Sequence, residues 1–488
     1  TTNTPQAAFL DYDRDGDLDL YLVVNEMDNR LIPNRYVPKR RDGKGRRNDR
    51  LYRNDGDQGN GHPVYTNVTL AAGINMDGYG LGLSICALNH AGWPDIYVTN
   101  DYVTNDLLMF YYLDGTFTDR ADDYFKHSAY SAMGNDVADL NGDGLEDIIA
   151  LDMFPETNAR RKSLLPPNNY PAYLNNERYG YQYQFTRNVL QLARGQRPGD
   201  NGKPIFAEIG GFAGVAATDW SWSPLAADFD HDGDRDLLIS NGFPKDVTDG
   251  DFMDYNVTMS NIASREMLLP KIPSVKIANY AYANDGEDVP AFRKVTEEWG
   301  LNEPSYSNGA TYADLDGDGD LDYIVNNINQ ECFLYRNTLM DGEANDGNYL
   351  AVRLRQKGGN TAAVGARVDL ADKEGRLIAT SFQSPVRGYL SSVSQDIHFG
   401  LDTLTAVSLT ITWPDGRQSR HPVTSVNQLL TIDGPTGKQP ERREVAGMSA
   451  STYLKETSGL VSAFSQHKDS LFIDFNVQPL LPHKLSEY

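Results

Sequence analysis

At 488 residues and 40% hydrophobic content the chain can bury more than one core, and a formal net charge of −24 argues against nucleic acid or an anionic membrane as partner. Two cysteines, Cys86 and Cys332, are too few for a disulfide framework; lying in strand-like segments of different repeats, they are expected as buried free thiols. No apolar run is long enough to span a bilayer, no signal peptide opens the sequence, and no nucleophile elbow, Walker loop, HExxH or CxxC pattern occurs, so no enzyme is expected.

From the N-terminus, the first feature is an acidic nonapeptide, DYDRDGDLD, at residues 11–19. Asp11, Asp13, Asp15, Asp17 and Asp19 occupy its alternate positions and Gly16 its sixth. Such alternation turns hard oxygen ligands toward one point while the glycine bends the backbone between them, the chemistry of a Ca²⁺ loop. An EF-hand would need Glu at position 12; Leu22 stands there, and an apolar run from Leu20 to Val24 predicts a strand. Further strands are expected at 50–54 and from 65.

The second copy, ALNHAGWPD at 87–95, keeps Gly92 and Asp95 but has alanine at positions 1 and 5, and is expected to form the same turn without metal. The third, at 139–147, offers Asp139, Asn141, Asp143, Leu145 at the position where such loops use a backbone carbonyl, and Asp147. An insertion at 153–187 carries Tyr179, Tyr181 and Tyr183, which could stack on a sugar or anchor an interface but are expected first to pack the loop onto the scaffold. The fourth copy supplies Asp228, Asp230, Asp232, Asp234 and Asp236, with His231 expected to point outward. Trp220 and Trp222 before it are expected to fill space between sheets. A second insertion, 243–277, holds VTMSNIASREMLL, whose spacing suggests a short helix. The fifth copy contains Asp314, Asp316, Asp318, Asp320 and Asp322. Acids on alternate positions repel one another unless a cation sits among them, so about four Ca²⁺ sites are expected, and the terminal aspartates are read as closing them.

Loop starts at 11, 87, 139, 228 and 314 mark a unit of about four strands with variable insertions, and radial closure of such units into a propeller fits best. Beyond it, residues 346–435 alternate apolar and polar positions and predict a small β-sandwich-like domain. His398 there is expected as a structural hydrogen bonder, and Arg387 and Tyr389 as part of a binding surface or simply a hairpin.

These residues resemble a known family. The acidic loops followed by strands are similar to FG-GAP or VCBS repeats, the calcium-binding blades of integrin-type propellers. AAVGARVDL at 362–370, RGYLSS at 387–392, HFGL at 398–401 and ITWPDG at 411–416 resemble, in order and spacing, the ASPIC/UnbV domain of the cartilage acidic protein family and its bacterial relatives. The implied fold class is all-β: an integrin-like β-propeller of calcium-loop blades over 1–345, then the ASPIC/UnbV-like domain, a linker at 436–449, and at 450–488 the start of a further blade or a ring-closing tail. The chain opens just before a calcium loop and ends where a blade begins, which predicts a piece of a longer polypeptide or part of a larger assembly.

The expected function is a non-enzymatic, calcium-binding extracellular scaffold or adhesion module that meets a protein or glycan at the cell surface. Weak sites of the extracellular kind would stand empty at cytosolic calcium, which places it outside the cell. The alternative is a glycan- or nutrient-binding accessory subunit of an outer-membrane uptake system, using the tyrosine insertion; a third reading is a polysaccharide-active enzyme.

Overall fold

The computed structural model describes residues 3–436 apart from 28–33, 60, 90–91, 113, 165–169, 197–202, 287 and 343–346. The expected tail at 450–488 and the linker beyond 436 lie outside the described residues. The fold is all-β. Four four-stranded antiparallel meanders and one three-stranded meander follow one another in the chain. Each begins with the strand that leads into an acidic loop: Ala7–Leu10, Gly80–Cys86, Asn135–Ala138, Ser221–Ala227 and Ser307–Ala313.

The register explains why the loops are alike. In every sheet the residue before the loop faces the ninth loop residue: Leu10 with Asp19, Cys86 with Asp95, Ala138 with Asp147, Ala227 with Asp236, and Ala313 with Asp322. The expected third and fourth strands also form, as in Arg50–Asp57 and Pro63–Asn67.

Side chains that alternate along a strand point to opposite faces, and here both faces are buried. Ile96 packs in a core shared with the first sheet, while its neighbour Tyr97 packs in a core shared with the third. Ile148 and Ile149 divide in the same way between the second and fourth sheets, as do Leu237 and Leu238 between the third and fifth. Each such aliphatic side chain contributes about 1.5–3 kcal/mol on burial, and no sheet could bury both faces alone. The first strands of successive sheets are neighbours. Ser84 Oγ donates to Asn135 Oδ1 at 2.7 Å, and the Ala226 amide donates to Asp136 Oδ2 at 2.8 Å.

The C-terminal unit is two sheets, one of Asn348–Arg355, Ile397–Asp402 and Gln428–Asp433, the other of Arg367–Ala371, Leu377–Phe382, Val407–Thr412 and Gln418–Val423. They enclose a core that includes Leu350, Val368, Leu409 and Trp413. A hairpin, Val386–Arg387 with Ser391–Ser392, leaves this unit and runs among the first strands of the meanders. Gly388 donates its amide to Asn135 O at 2.8 Å, the Tyr389 amide reaches Ser223 Oγ at 3.2 Å, and Gln6 Nε2 donates to Ser391 O at 3.3 Å. The Ala310 amide donates to Ser391 Oγ at 3.0 Å, and Gly82 bridges Tyr389. Arg387 is buried and pairs with Asp136 at 2.8 Å, so RGYLSS is a hairpin with a buried base and with Leu390 and Ser392 exposed, and Arg387 is not part of a displayed surface.

Other expectations meet mixed outcomes. Trp220 and Trp222 are buried with Met133 and Val275. Cys86 and Cys332 are both free, but only Cys86 is buried; Cys332 is exposed just before the strand Phe333–Tyr335, where that edge faces solvent. The helix of the second insertion starts earlier than expected, at Gly250–Met259, because Asp249 caps it by accepting the Phe252 amide at 2.9 Å; Arg265–Leu268 forms a separate turn.

Candidate metal centres

Each acidic loop is shaped by its own side chains. The position-5 carboxylate accepts the position-7 amide in all four: Asp17 to Asp15 at 3.1 Å, Leu145 to Asp143 at 2.9 Å, Asp234 to Asp232 at 2.9 Å and Asp320 to Asp318 at 3.2 Å. The position-1 carboxylate accepts a glycine amide across the loop, from Gly16 at 3.2 Å, Gly144 at 3.1 Å, Gly233 at 2.9 Å and Gly317 at 2.7 Å.

What these bonds leave over is informative. Asp11, Asp13 and Asp17 each keep one buried oxygen with no donor, as do Asp139 and Asn141, Asp228 and Asp230, and Asp318 and Asp320. A buried side-chain oxygen without a donor is costly; it recurs at positions 1 and 3 in three loops and falls at positions 5 and 7 in the loop at 314–322. In three loops the carboxylates converge: Asp11, Asp13 and Asp15, then Asp228, Asp230 and Asp236, then Asp314, Asp316 and Asp318, each set able to bring one oxygen apiece within 4.8 Å of the others. The loop at 139–147, with Asn141 in place of a carboxylate, forms no such triad among the described residues. Burial above all, with neighbouring aspartates next, pushes the Asp11 carboxyl up to about 7; burial likewise takes Asp320 to about 7 and Asp230 to about 6. Hard oxygens in this number fit a divalent cation of the calcium type; Leu145 and Asp234 would serve through position 7, although Asp316 is engaged by Arg336 at 2.7 Å.

The terminal aspartates have a second task. Asp19 accepts the Tyr12 amide at 3.0 Å and the Asn54 amide at 2.9 Å, tying the loop to the third strand. Asp147 does the same for Leu140 and Ala193, Asp236 for Phe229 and Asn284, and Asp322 for Leu315 and Asn337. Asp95 does it too, for Asn89 and Tyr111, in the copy expected to lack metal. Position 9 is therefore a structural clamp whether or not it also faces a cation.

The copy at 87–95 is held by the protein's own side chains. Asn89 Nδ2 donates to Asp95 Oδ1 at 2.9 Å, and Glu146 from the third loop reaches across to accept the Ala87 amide at 2.6 Å. Among its described residues no side-chain oxygen is left buried and unpartnered. Nothing in the sequence singled out Glu146.

Sequence reasoning also missed that the C-terminal unit lies on these loops. The Thr380 amide donates to Asp139 Oδ2 at 3.0 Å, Arg367 donates to Gly144 O at 2.9 Å, and Arg235 donates to Thr380 O at 2.7 Å. Gly400 sits so close to Asp228 that a Cβ there would fall on its carboxylate. His231 corrects its expectation. It is fully buried, with φ 63°, stacked on His398 with centroids 5.0 Å apart and packed by Tyr349. Loop position 4 turns its side chain away from the cation point, and the docked domain covers what would have been solvent. His398 is the structural hydrogen bonder expected, its Nε2 3.0 Å from Gly319 O.

The tyrosines of the first insertion are engaged within the chain. Tyr179 stacks on Tyr36 at 6.0 Å, Tyr181 donates its hydroxyl to Val37 O at 2.7 Å, and Tyr183 stacks on Tyr173 at 4.7 Å while its hydroxyl meets Glu177 at 2.6 Å. They pack the insertion down and present no shared platform.

Comparison with known proteins agrees with these observations. Residues 88–150 match the FG-GAP-like repeat model, and residues 356–439 match the ASPIC and UnbV model. Cartilage acidic protein 1 of Xenopus tropicalis is 27% identical over 76% of this chain and 48% of its own length; the Homo sapiens protein is 24% identical over 75% and 46%. The chain thus spans about half the length of the curated relatives it matches. The solved structure of the V. cholerae biofilm matrix protein Bap1 covers 88% of this chain and 68% of its own at 11% identity, but a TM-score of 0.24 supports no argument. With repeats, loops and second domain agreeing, the chain contains an FG-GAP-like repeat and an ASPIC/UnbV domain and is similar to cartilage acidic protein 1 at about one-quarter identity.

Proposed function

We propose that the chain is a non-enzymatic, extracellular interaction scaffold in which the five meanders are blades of a β-propeller and four of their loops hold Ca²⁺. The observation that carries this is the presence of buried, donorless side-chain oxygens in four loops, at positions 1 and 3 in three of them and 5 and 7 in the other, and their absence from the described residues of the copy at 87–95. Four divalent ions would offset part of the −24 net charge, and sites of millimolar to submillimolar affinity fill only outside the cell. The relatives' family is consistent with that placement, and among the described residues no helix is long and apolar enough to cross a membrane. The ASPIC/UnbV domain, seated on the loops, then makes the metal-bearing face an internal joint and leaves the opposite face and the insertions for partners. Elemental analysis after dialysis against 1 mM calcium is expected to find about four ions per chain. Fewer than one ion in folded protein overturns the proposal.

A further inference from the structure

On the face away from the acidic loops, where the first strands begin, lies a cavity of about 540 Å³ that the loops do not involve. Its wall is aromatic. Trp220 stacks on Phe243 with centroids 4.5 Å apart, and Trp222 lies against Phe243 at 5.6 Å and against Tyr389 of the hairpin at 4.8 Å. Tyr102 enters from the second sheet with φ 59°, a left-handed conformation that a bulky residue keeps only where its surroundings impose it.

The charge of this cavity has one sign. Asp101 lines it, and among its described lining residues there is no Lys, Arg or His. Asp101 Oδ1 accepts the Tyr102 amide at 2.6 Å. Asp152, close enough to feel the Asp101 charge, accepts the amides of Tyr130 at 2.8 Å and Ser131 at 3.1 Å. Backbone amides orient both carboxylates, and among the described residues no cationic side chain pairs with them. Burial pushes Asp101 up to about 6 and Asp152 up to about 7, as expected of carboxylates kept from water without a counter-ion.

Aromatic faces attract a cation through their quadrupoles, and the attraction grows as the cation loses water. A pocket of this size, largely apolar with one oriented charge, is the usual form of a small-molecule site. From this juxtaposition we infer that the cavity binds an alkylated ammonium group, its methyl groups against Trp220, Trp222 and Tyr389 and its charge facing Asp101. A sugar would use the same rings and donate hydroxyls to Asp101, but it would leave the charge of the carboxylate without a counter-ion.

The test uses the full chain in calcium, with tryptophan fluorescence and saturation-transfer NMR as readouts. Choline is expected to bind saturably, and its uncharged isostere 3,3-dimethylbutanol about tenfold or more weakly. Asp101→Asn, and Val247→Arg at the exposed rim, are each expected to weaken choline about fivefold or more while the melting temperature stays near that of the parent. Sedimentation with phosphatidylcholine vesicles separates a lipid headgroup from a free small molecule, and binding of either supports the inference. Equal binding of choline and the isostere, unchanged choline binding in both folded variants, or binding of N-acetylglucosamine but not choline overturns it.

Discussion

Residues 87–95 and 228–236 fold into the same hairpin, each closed by an aspartate that clamps two backbone amides, Asp95 in one and Asp236 in the other. They differ in how the centre is filled. At 87–95 the Asn89 amide and the reaching Glu146 satisfy the loop from within; at 228–236 Asp228 and Asp230 leave buried oxygens for something external. The turn itself therefore needs only the clamp and the glycine, and on the proposed function the remaining acids are there for an ion. Nearest-neighbour packing makes the difference tolerable, because each sheet shares its cores with the next whether or not its loop binds metal.

The comparison breaks first under chelation. If each site has a dissociation constant of about 0.1 mM, millimolar calcium stabilises by roughly 1.4 kcal/mol per site, so removing it should cost about 5–6 kcal/mol over four sites. A melting temperature unmoved by EDTA would undo the distinction between the loops. Asp95→Ala comes next: it strands the buried amides of Asn89 and Tyr111 and should cost about 2–4 kcal/mol equally with and without calcium, read from denaturant midpoints. Gly400→Ala pushes a methyl group onto Asp228 and should cost about 1–3 kcal/mol and weaken one calcium-binding step in calorimetry, since the docked domain and the loop compete for that space. Asp228→Ala should cost about 1.4 kcal/mol more in calcium than in EDTA, the share of one site, beyond the hydrogen bond from the Gly233 amide that it loses in either condition.

The smallest effect concerns a second internal contrast. Asp49 accepts the Val24 amide and the Tyr21 hydroxyl, both at 2.8 Å, and Asp106 accepts Asn100 and Tyr97 likewise; in the third and fourth sheets Asn188 and Asn279 take the equivalent amides of Asp152 and Asn241. Burial pushes the Asp49 carboxyl up to about 7. A carboxyl raised in the folded state contributes stability below its unfolded value near 4 and loses it as pH rises through about 7. Asp49→Asn should therefore flatten the decline between pH 5 and pH 8 by on the order of 1 kcal/mol, measured as melting temperature against pH. A steeper decline in the variant would reverse the assignment.

Much of this was legible in the residues. Period-2 apolar runs gave the strands, and the fixed offset between Asp11 and Asp19, repeated four more times through Asp95, Asp147, Asp236 and Asp322, gave the hairpin register. The hairpin at 387–392 was readable as a turn but not as one with a buried base, because its environment comes from five sheets distant in the sequence. His231 was misplaced for the same reason: local geometry aims it away from the loop, and only the ASPIC/UnbV domain turns that direction into burial.

By itself the sequence determined the repeat, the all-β class, the acidic loops and the second domain, because each depends on local spacing and backbone alternation. The tertiary structure alone decided that the second domain sits on the loops, that Glu146 accepts the Ala87 amide of the neighbouring repeat, and that Trp220, Trp222 and Tyr389 meet in one cavity. Those arrangements join residues far apart in the chain, Thr380 and Asp139 by 241 positions, and no periodicity in a chain encodes which distant surfaces fit one another.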